Sequence, residues 1–199
     1  MYQKFGKRII DFLVSLAFII VFCWLFAILA IIIKVTSPGP VLFKQKRVAR
    51  TPGVDLQFFE IFKFRTMYID TPKDMPTHLL DDPESFITPI GKFLRKTSLD
   101  ELPQMFNILG GSMSFIGPRP ALWNQEDLME LRVANGSAKA VPGLTGLAQI
   151  SGRDELEIGV KAGLDGEYAK KISFLGDVKI FVMTFVSVLK SDGVVEGKK

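Results

Sequence analysis

The chain has 199 residues, 48% of them hydrophobic, a formal charge of +4 and a mean hydropathy of +0.26, which is one domain's worth of sequence with enough length for a sizeable core. One histidine, His78, and one cysteine, Cys23, exclude an intrachain disulfide framework and leave no zinc site; a Ser-His-Asp triad would have to use His78, which lies in a Pro- and Asp-rich stretch that reads as solvated loop. A basic chain can seek nucleic acid, an anionic membrane or phosphorylated substrates, and with no nucleic-acid motif present membrane and phosphate are the expected partners.

Phe12 to Ile33 carry no charge. A helix of that length covers about 33 Å, enough for a bilayer core of about 30 Å. No A-x-A-like site follows, so this is a membrane segment rather than a secretory signal. Lys4, Lys7 and Arg8 precede it, and Lys34, Lys44, Lys46, Arg47 and Arg50 follow it. Positive charge marks the cytoplasmic side. Bases on both flanks favour a helix that dips in and returns over one that crosses, although no proline precedes Pro38 to supply a kink.

Thr36-Ser37-Pro38-Gly39-Pro40 reads as the end of this segment and a turn. Val41 to Phe43 and Gln57 to Met67 read as strands of a hairpin turning at Thr51-Pro52-Gly53. In the second strand Lys63 and Arg65 alternate with Phe62, Phe64 and Met67, which fits either a half-exposed basic face or the basic edge of a site. Tyr68 to Pro89 reads as loop with one weak helical turn, and Ile90 to Lys96 as a short helix carrying Arg95.

Arg95 to Pro120 is the stretch richest in chemistry. Asp100 and Glu101 are adjacent, Arg95 and Lys96 precede them, and Arg119 follows in Gly117-Pro118-Arg119-Pro120. Mg²⁺ takes oxygen ligands, commonly one or two carboxylates beside phosphate oxygens. A guanidinium fork matches phosphate. Pro103 and the glycine pair Gly110-Gly111 predict a helix over Pro103 to Leu109 with the carboxylates at its N-terminus, where negative charge is favoured. The stretch therefore suits metal-assisted chemistry on a phosphate. A purely local alternative is a capping box, since Ser98-Leu99-Asp100-Glu101 fits S-x-x-E.

Farther on, Ala121 to Asn135 reads as an acidic amphipathic helix on the surface. Val141 to Arg153 is punctuated by glycines and ends on a guanidinium that could hold phosphate. Phe174 to Lys190 reads as a helix whose face of Phe174, Val178, Phe181, Phe185 and Leu189 suits core packing first and membrane docking second.

Taken together, Lys63-Phe64-Arg65-Thr66-Met67, Lys96-Thr97-Ser98-Leu99-Asp100-Glu101-Leu102-Pro103-Gln104, Ser114-Phe115-Ile116-Gly117-Pro118-Arg119-Pro120, Pro142-Gly143-Leu144-Thr145-Gly146-Leu147-Ala148-Gln149, Ser151-Gly152-Arg153 and the Ser173-Phe174-x-x-Asp177-x-Lys179-Ile180 segment resemble the monotopic phosphoglycosyl transferases over nearly the whole chain. These are bacterial sugar transferases that begin glycan assembly on polyprenol phosphate. The resemblance implies a UDP-sugar as donor and polyprenyl phosphate as acceptor. It implies that Asp100 attacks the β-phosphorus, that UMP leaves and that the lipid phosphate then displaces the aspartate. Glu101 with Asp100 would hold Mg²⁺. Lys63, Arg65, Thr66, Arg95, Arg119 and Arg153 would bind substrate. The expected fold is α/β, a small antiparallel sheet with several helices: residues 1–36 form a re-entrant membrane helix and 37–199 a catalytic domain on the cytosolic face of the bacterial inner membrane. Two departures stand out. The family's Ser-Pro break should fall near Cys23-Trp24, and its glycine after the Gln-x-Arg element is Ala49 here. A membrane-anchored Mg²⁺-dependent phosphatase or pyrophosphohydrolase, or a non-enzymatic basic membrane adaptor, are the other classes that the residues admit.

Overall fold

The computed structural model describes residues 2–53, 55–72, 82–152 and 156–190; His78 and Arg153 lie outside them. After a π-helical turn at Tyr2–Gly6, α1 runs unbroken from Lys7 to Thr36. No glycine or proline interrupts that span, so the usual cause of a kink is missing. It stops where Pro38 holds Ser37 in an extended conformation, φ −151° and ψ 139°.

One side of α1 packs on the rest of the protein. Leu29 and Ile33 join a buried cluster with Phe64 and Leu94, while Phe18, Ile19 and Phe26 lie against Ile61, Met105, Ile108 and Met113. Both ends are tied down. Near the start, Tyr2 Oη donates to Asp177 at 2.6 Å, Lys7 pairs with the same carboxylate, and Arg8 donates to the carbonyls of Ile108 and Leu109 at 2.6 and 2.7 Å. At the far end Arg65 Nη2 donates to the carbonyl and hydroxyl of Ser37 at 2.7 and 2.6 Å. The other side is bare and apolar: Ile20, Val21, Trp24, Ile31 and Val35 are all more than half exposed.

The hairpin is present as expected. Strands β1 (Leu42–Val48) and β2 (Phe58–Phe64) pair antiparallel, Leu42 opposite Phe64 and Val48 opposite Phe58. The weak turn in the loop is α2 (Pro83–Phe86), and α3 (Pro89–Lys96) follows. Next come α4 (Gln104–Gly110), β3 (Ser114–Ile116), α5 (Glu126–Asn135), β4 (Gly143–Thr145) and α6 (Leu147–Ser151). The chain closes with α7 (Ile158–Lys170) and α8 (Phe174–Lys190).

Three expectations need correction. First, the antiparallel sheet is the β1–β2 pair alone, and the described residues form a second, separate sheet: β3 and β4 pair parallel, Ser114 opposite Gly143 and Ile116 opposite Thr145. The chain between them turns at Arg119 and passes through α5, the kind of crossover that a parallel pair requires. Second, the acidic helix begins at Glu126, not Ala121, because Leu122 bridges Arg47 at the sheet edge and its N–H donates to Gln125. Third, the Phe174, Val178, Phe181 and Phe185 face of α8 is not core. Each is 42% exposed or more. The buried side lies one position round the helix, on Asp177 and Ile180, with Thr184 bonded to Thr145 at 2.9 Å. So α8 turns Asp177, Ile180 and Thr184 inward and its aromatic face outward.

Helix α7 was not legible in advance. It buries Ala162, Asp165, Gly166 and Tyr168, not a leucine stripe. Gly166 lets it approach α5, where a Cβ would stand 2.9 Å from Asn135 Nδ2.

Candidate active site

The dyad is set by the way α3 gives way to α4. Thr88 caps α3 by accepting from Gly91 N at 3.1 Å, with Pro89 at the first helical position. After Lys96 the chain reverses at Ser98, which takes the left-handed conformation, φ 56°. A single 3₁₀ turn, Leu99–Glu101, then presents both carboxylates before Pro103 starts α4. The capping-box alternative does not hold: Ser98 makes no side-chain capping bond, and Glu101 is bonded elsewhere.

That partner comes from β2. Lys63 Nζ lies 2.6 Å from Glu101 Oε1 and 3.8 Å from Asp100 Oδ2. Arg119 Nη2 stands 3.7 Å from Glu101 Oε1. The two carboxyls consequently differ. Burial pushes Asp100 above the ordinary aspartate range, aided by the neighbouring Glu101 charge and only partly opposed by Lys63 and Arg95. Burial works on Glu101 in the same sense, but Lys63, Arg119 and Arg47 outweigh it and hold it at about 2. The charge of Glu101 is thus held by cations from distant segments.

Arg119 is aimed by a backbone crossing. Gly117 N–H donates to Thr145 O at 2.8 Å and Gly143 N–H to Pro118 O at 2.9 Å. A Cβ on Gly117 would stand 2.3 Å from Val141 O, and one on Gly143 2.1 Å from Gly117 N. Only glycine allows these strands to come so close. Behind the turn, Arg132 Nη1 donates to Arg119 O at 3.0 Å, while its Nε and Nη2 reach Asp165 Oδ2 at 2.9 and 2.6 Å.

Asp100, Glu101, Lys63, Arg65, Thr66, Arg95 and Arg119 all line one cleft of about 1070 Å³. Their surroundings differ. Arg95 Nη1 contacts Met67 Sδ at 3.7 Å, and its charge reaches Asp100. Arg65 is buried, with Nη2 closing the end of α1 through Ser37. The Thr66 carbonyl accepts from Thr88 N and Oγ1 at 2.9 and 3.2 Å.

Two residues that the sequence reading did not assign to the site stand in the same cleft: Gln45 and Arg47, on β1. Arg47 donates to Pro120 O at 3.0 Å and to Gln45 Oε1. Burial, and then the Arg119 charge, draw its guanidinium down to about 10. The available signal was the period of two along β1, which puts Gln45 and Arg47 on one face.

Among the described residues no three His, Cys, Asp or Glu side chains converge. A metal would therefore rest on Asp100 and Glu101. Two carboxylates opening on a wide cleft fit Mg²⁺, which completes its shell with water and phosphate oxygens, and fit zinc poorly.

The family profile described as bacterial sugar transferase matches residues 2–191. A UDP-glucose:undecaprenyl-phosphate glucose-1-phosphate transferase of Caulobacter vibrioides is 36% identical over 195 residues, 94% of this chain and 70% of the relative. The uncharacterized sugar transferase EpsL of Bacillus subtilis is 40% identical over 170 residues, 85% of this chain and 79% of the relative. An undecaprenyl-phosphate galactose phosphotransferase of Salmonella typhimurium is 34% identical over 208 residues, covering 96% of this chain. The chain spans 42% of that Salmonella protein's length and 41% of an uncharacterized sugar transferase of Haemophilus influenzae. A profile matched almost end to end, with long relatives covering nearly the whole chain, establishes that this protein belongs to the bacterial sugar transferase family.

Proposed function

We propose that the protein transfers a sugar 1-phosphate from a UDP-sugar to polyprenyl phosphate, undecaprenyl phosphate in bacteria, and releases UMP. The observation that carries this reading is the unequal dyad. Asp100 is buried and pushed up, so it is a stronger base and nucleophile than a solvated carboxylate. Glu101 stays ionised among Lys63, Arg119 and Arg47. Adjacent carboxyls with different surroundings suit different tasks.

In the first displacement an Asp100 carboxylate oxygen attacks the β-phosphorus. The bond from that phosphorus to the bridging oxygen breaks, and UMP leaves with the electron pair. The phosphosugar remains on Asp100 as an acyl phosphate. In the second, an oxygen of the lipid phosphate attacks the same phosphorus and Asp100 leaves as carboxylate. Lys63, Arg119 and Arg47, with Arg95 near Asp100, offset the charge on the phosphoryl oxygens through both steps. Asp100 and Glu101 would hold Mg²⁺, which supplies neutralisation of the diphosphate charge.

The membrane reading has its own support. Both ends of α1 are bonded to the same domain while its far side is bare and apolar. A helix lying along the domain would keep both ends on one side of the bilayer, as a monotopic arrangement needs, and α1 is continuous along its length. The outward aromatic face of α8 starts beside the same end of α1, where Phe174 meets Tyr2 edge-on at 5.8 Å between ring centres. It would dip into the same leaflet. UDP-sugars are cytosolic, so this surface would be the cytosolic face of the inner membrane.

The test uses the full chain in detergent with UDP-glucose or UDP-galactose, Mg²⁺ and undecaprenyl phosphate. UMP release should depend on the lipid in the steady state. Without lipid, mass spectrometry should find a hexose phosphate on Asp100. Free sugar phosphate in the absence of lipid would instead identify a pyrophosphohydrolase, and an adduct on Glu101 would reverse the roles.

A further inference from the structure

Gln149 stands on α6 in the wall of the same cleft and is 8% exposed. Its Nε2 and Oε1 are both buried, and among the described residues neither has a hydrogen-bond partner. Buried amides in native proteins are almost always satisfied, and one with both ends unpaired lowers stability. Its position is informative. A Cβ on Gly146 would stand 2.9 Å from Gln149 Oε1 and 2.1 Å from the Gly117 carbonyl oxygen. The amide therefore sits at the backbone crossing that aims Arg119, two residues along from Gly117.

We propose that Gln149 recognises the donor substrate, its amide pairing with a neutral edge that offers one hydrogen-bond donor and one acceptor. This rests on the sugar-transfer reading. A phosphate only accepts, so it would leave Oε1 unpaired, and a polyprenyl chain does neither. Two parts of a nucleotide sugar carry the required chemistry: the imide edge of the uracil, with N–H beside C=O, and the hydroxyls of the hexose. Sites built on such pairs discriminate strongly, because a ligand lacking the group leaves the buried amide unpaired again.

The experiment compares wild type with Gln149→Leu and Gln149→Glu as the full chain in detergent. Three quantities are read: UMP affinity by calorimetry, KM and kcat for UDP-glucose and UDP-galactose, and the thermal midpoint without ligand. If the edge is the uracil, Gln149→Leu should lose at least tenfold in UMP affinity. If it is the hexose, UMP affinity should hold while KM for at least one sugar rises tenfold or more, the glucose-to-galactose ratio changes and kcat moves little. In both cases the unliganded Leu variant should keep or raise its thermal midpoint, since the unpaired amide is gone. Gln149→Glu keeps acceptors and loses the donor, so it should fall between. UMP affinity and both KM values within twofold of wild type in both variants would overturn the proposal. A midpoint that drops in both variants together with binding would overturn it too, because that is the mark of a structural role. Should wild type neither bind UMP nor turn over a UDP-sugar, the sugar-transfer reading itself is what fails.

Discussion

Lys63→Met removes the cation that lies 2.6 Å from Glu101. Glu101 is held at about 2 against an ordinary value of 4.5. That depression corresponds to about 3 kcal/mol, shared among Lys63, Arg119 and Arg47 with Lys63 the leading favourable cause. Losing Lys63 should lower the thermal midpoint at pH 7 by at most about 6–12 °C, at about 2–4 °C per kcal/mol for a chain of this size. The sign of the pH dependence follows. A carboxyl depressed in the folded state stabilises fully above its unfolded value of 4.5, and the contribution fades as pH falls toward the folded value of about 2. The deficit of the variant should therefore shrink by about half or more at pH 3. Adding Glu101→Gln removes the stranded charge, so the double variant should recover part of the loss, a coupling of about 2 kcal/mol. Thermal denaturation of the four proteins at pH 7 and pH 3, in one detergent, measures all of this. An equal deficit at both pH values, or strictly additive effects, would refute the assignment of Glu101 as the ion-paired partner.

Three further outcomes follow from the same geometry. Asp100 is raised above 3.8 by burial, so its charge opposes folding above that pH; the neutral Asp100→Asn should melt higher at pH 7 while UMP release falls by several orders of magnitude, and a lower midpoint would contradict the burial argument. Chelation should abolish UMP release and Mg²⁺ restore it, with Glu101→Gln needing more metal; activity that survives chelation would remove the metal from the scheme. For topology, a cysteine at Gln3 on a Cys23→Ser background should resist an impermeant maleimide in intact cells until they are permeabilised, and labelling from outside would mean that α1 crosses the bilayer.

Some of this was legible in single stretches of sequence because the physics is local. An uncharged apolar run without glycine or proline favours one long helix, and α1 is long and apolar enough to cross a membrane. Pro38 and Pro89 marked boundaries where the ring restricts the backbone. Thr51-Pro52-Gly53 between two apolar-alternating runs marked the hairpin. Asp100, Glu101 and Arg119 stand out because, with Arg95 and Lys96, they are the only charges between Arg95 and Pro120. The tertiary structure alone decided what those groups experience. Lys63 reaches Glu101 from 38 residues away, and Arg47 reaches Pro120 from 73 residues away, through a sheet edge whose partner no local pattern names. Arg65, two positions from Lys63 on the same segment, closes the end of α1, because the turn at Ser37 brings those carbonyls to it. The parallel pairing of β3 with β4 and the buried Arg132–Asp165 bond under Arg119 depend on where a crossover lands. Propensity and periodicity act over a few residues, whereas the pKa of a carboxyl depends on every charge within several ångströms, whatever its place in the chain. That is why the sequence could point to two adjacent carboxyls and only the fold could make them different.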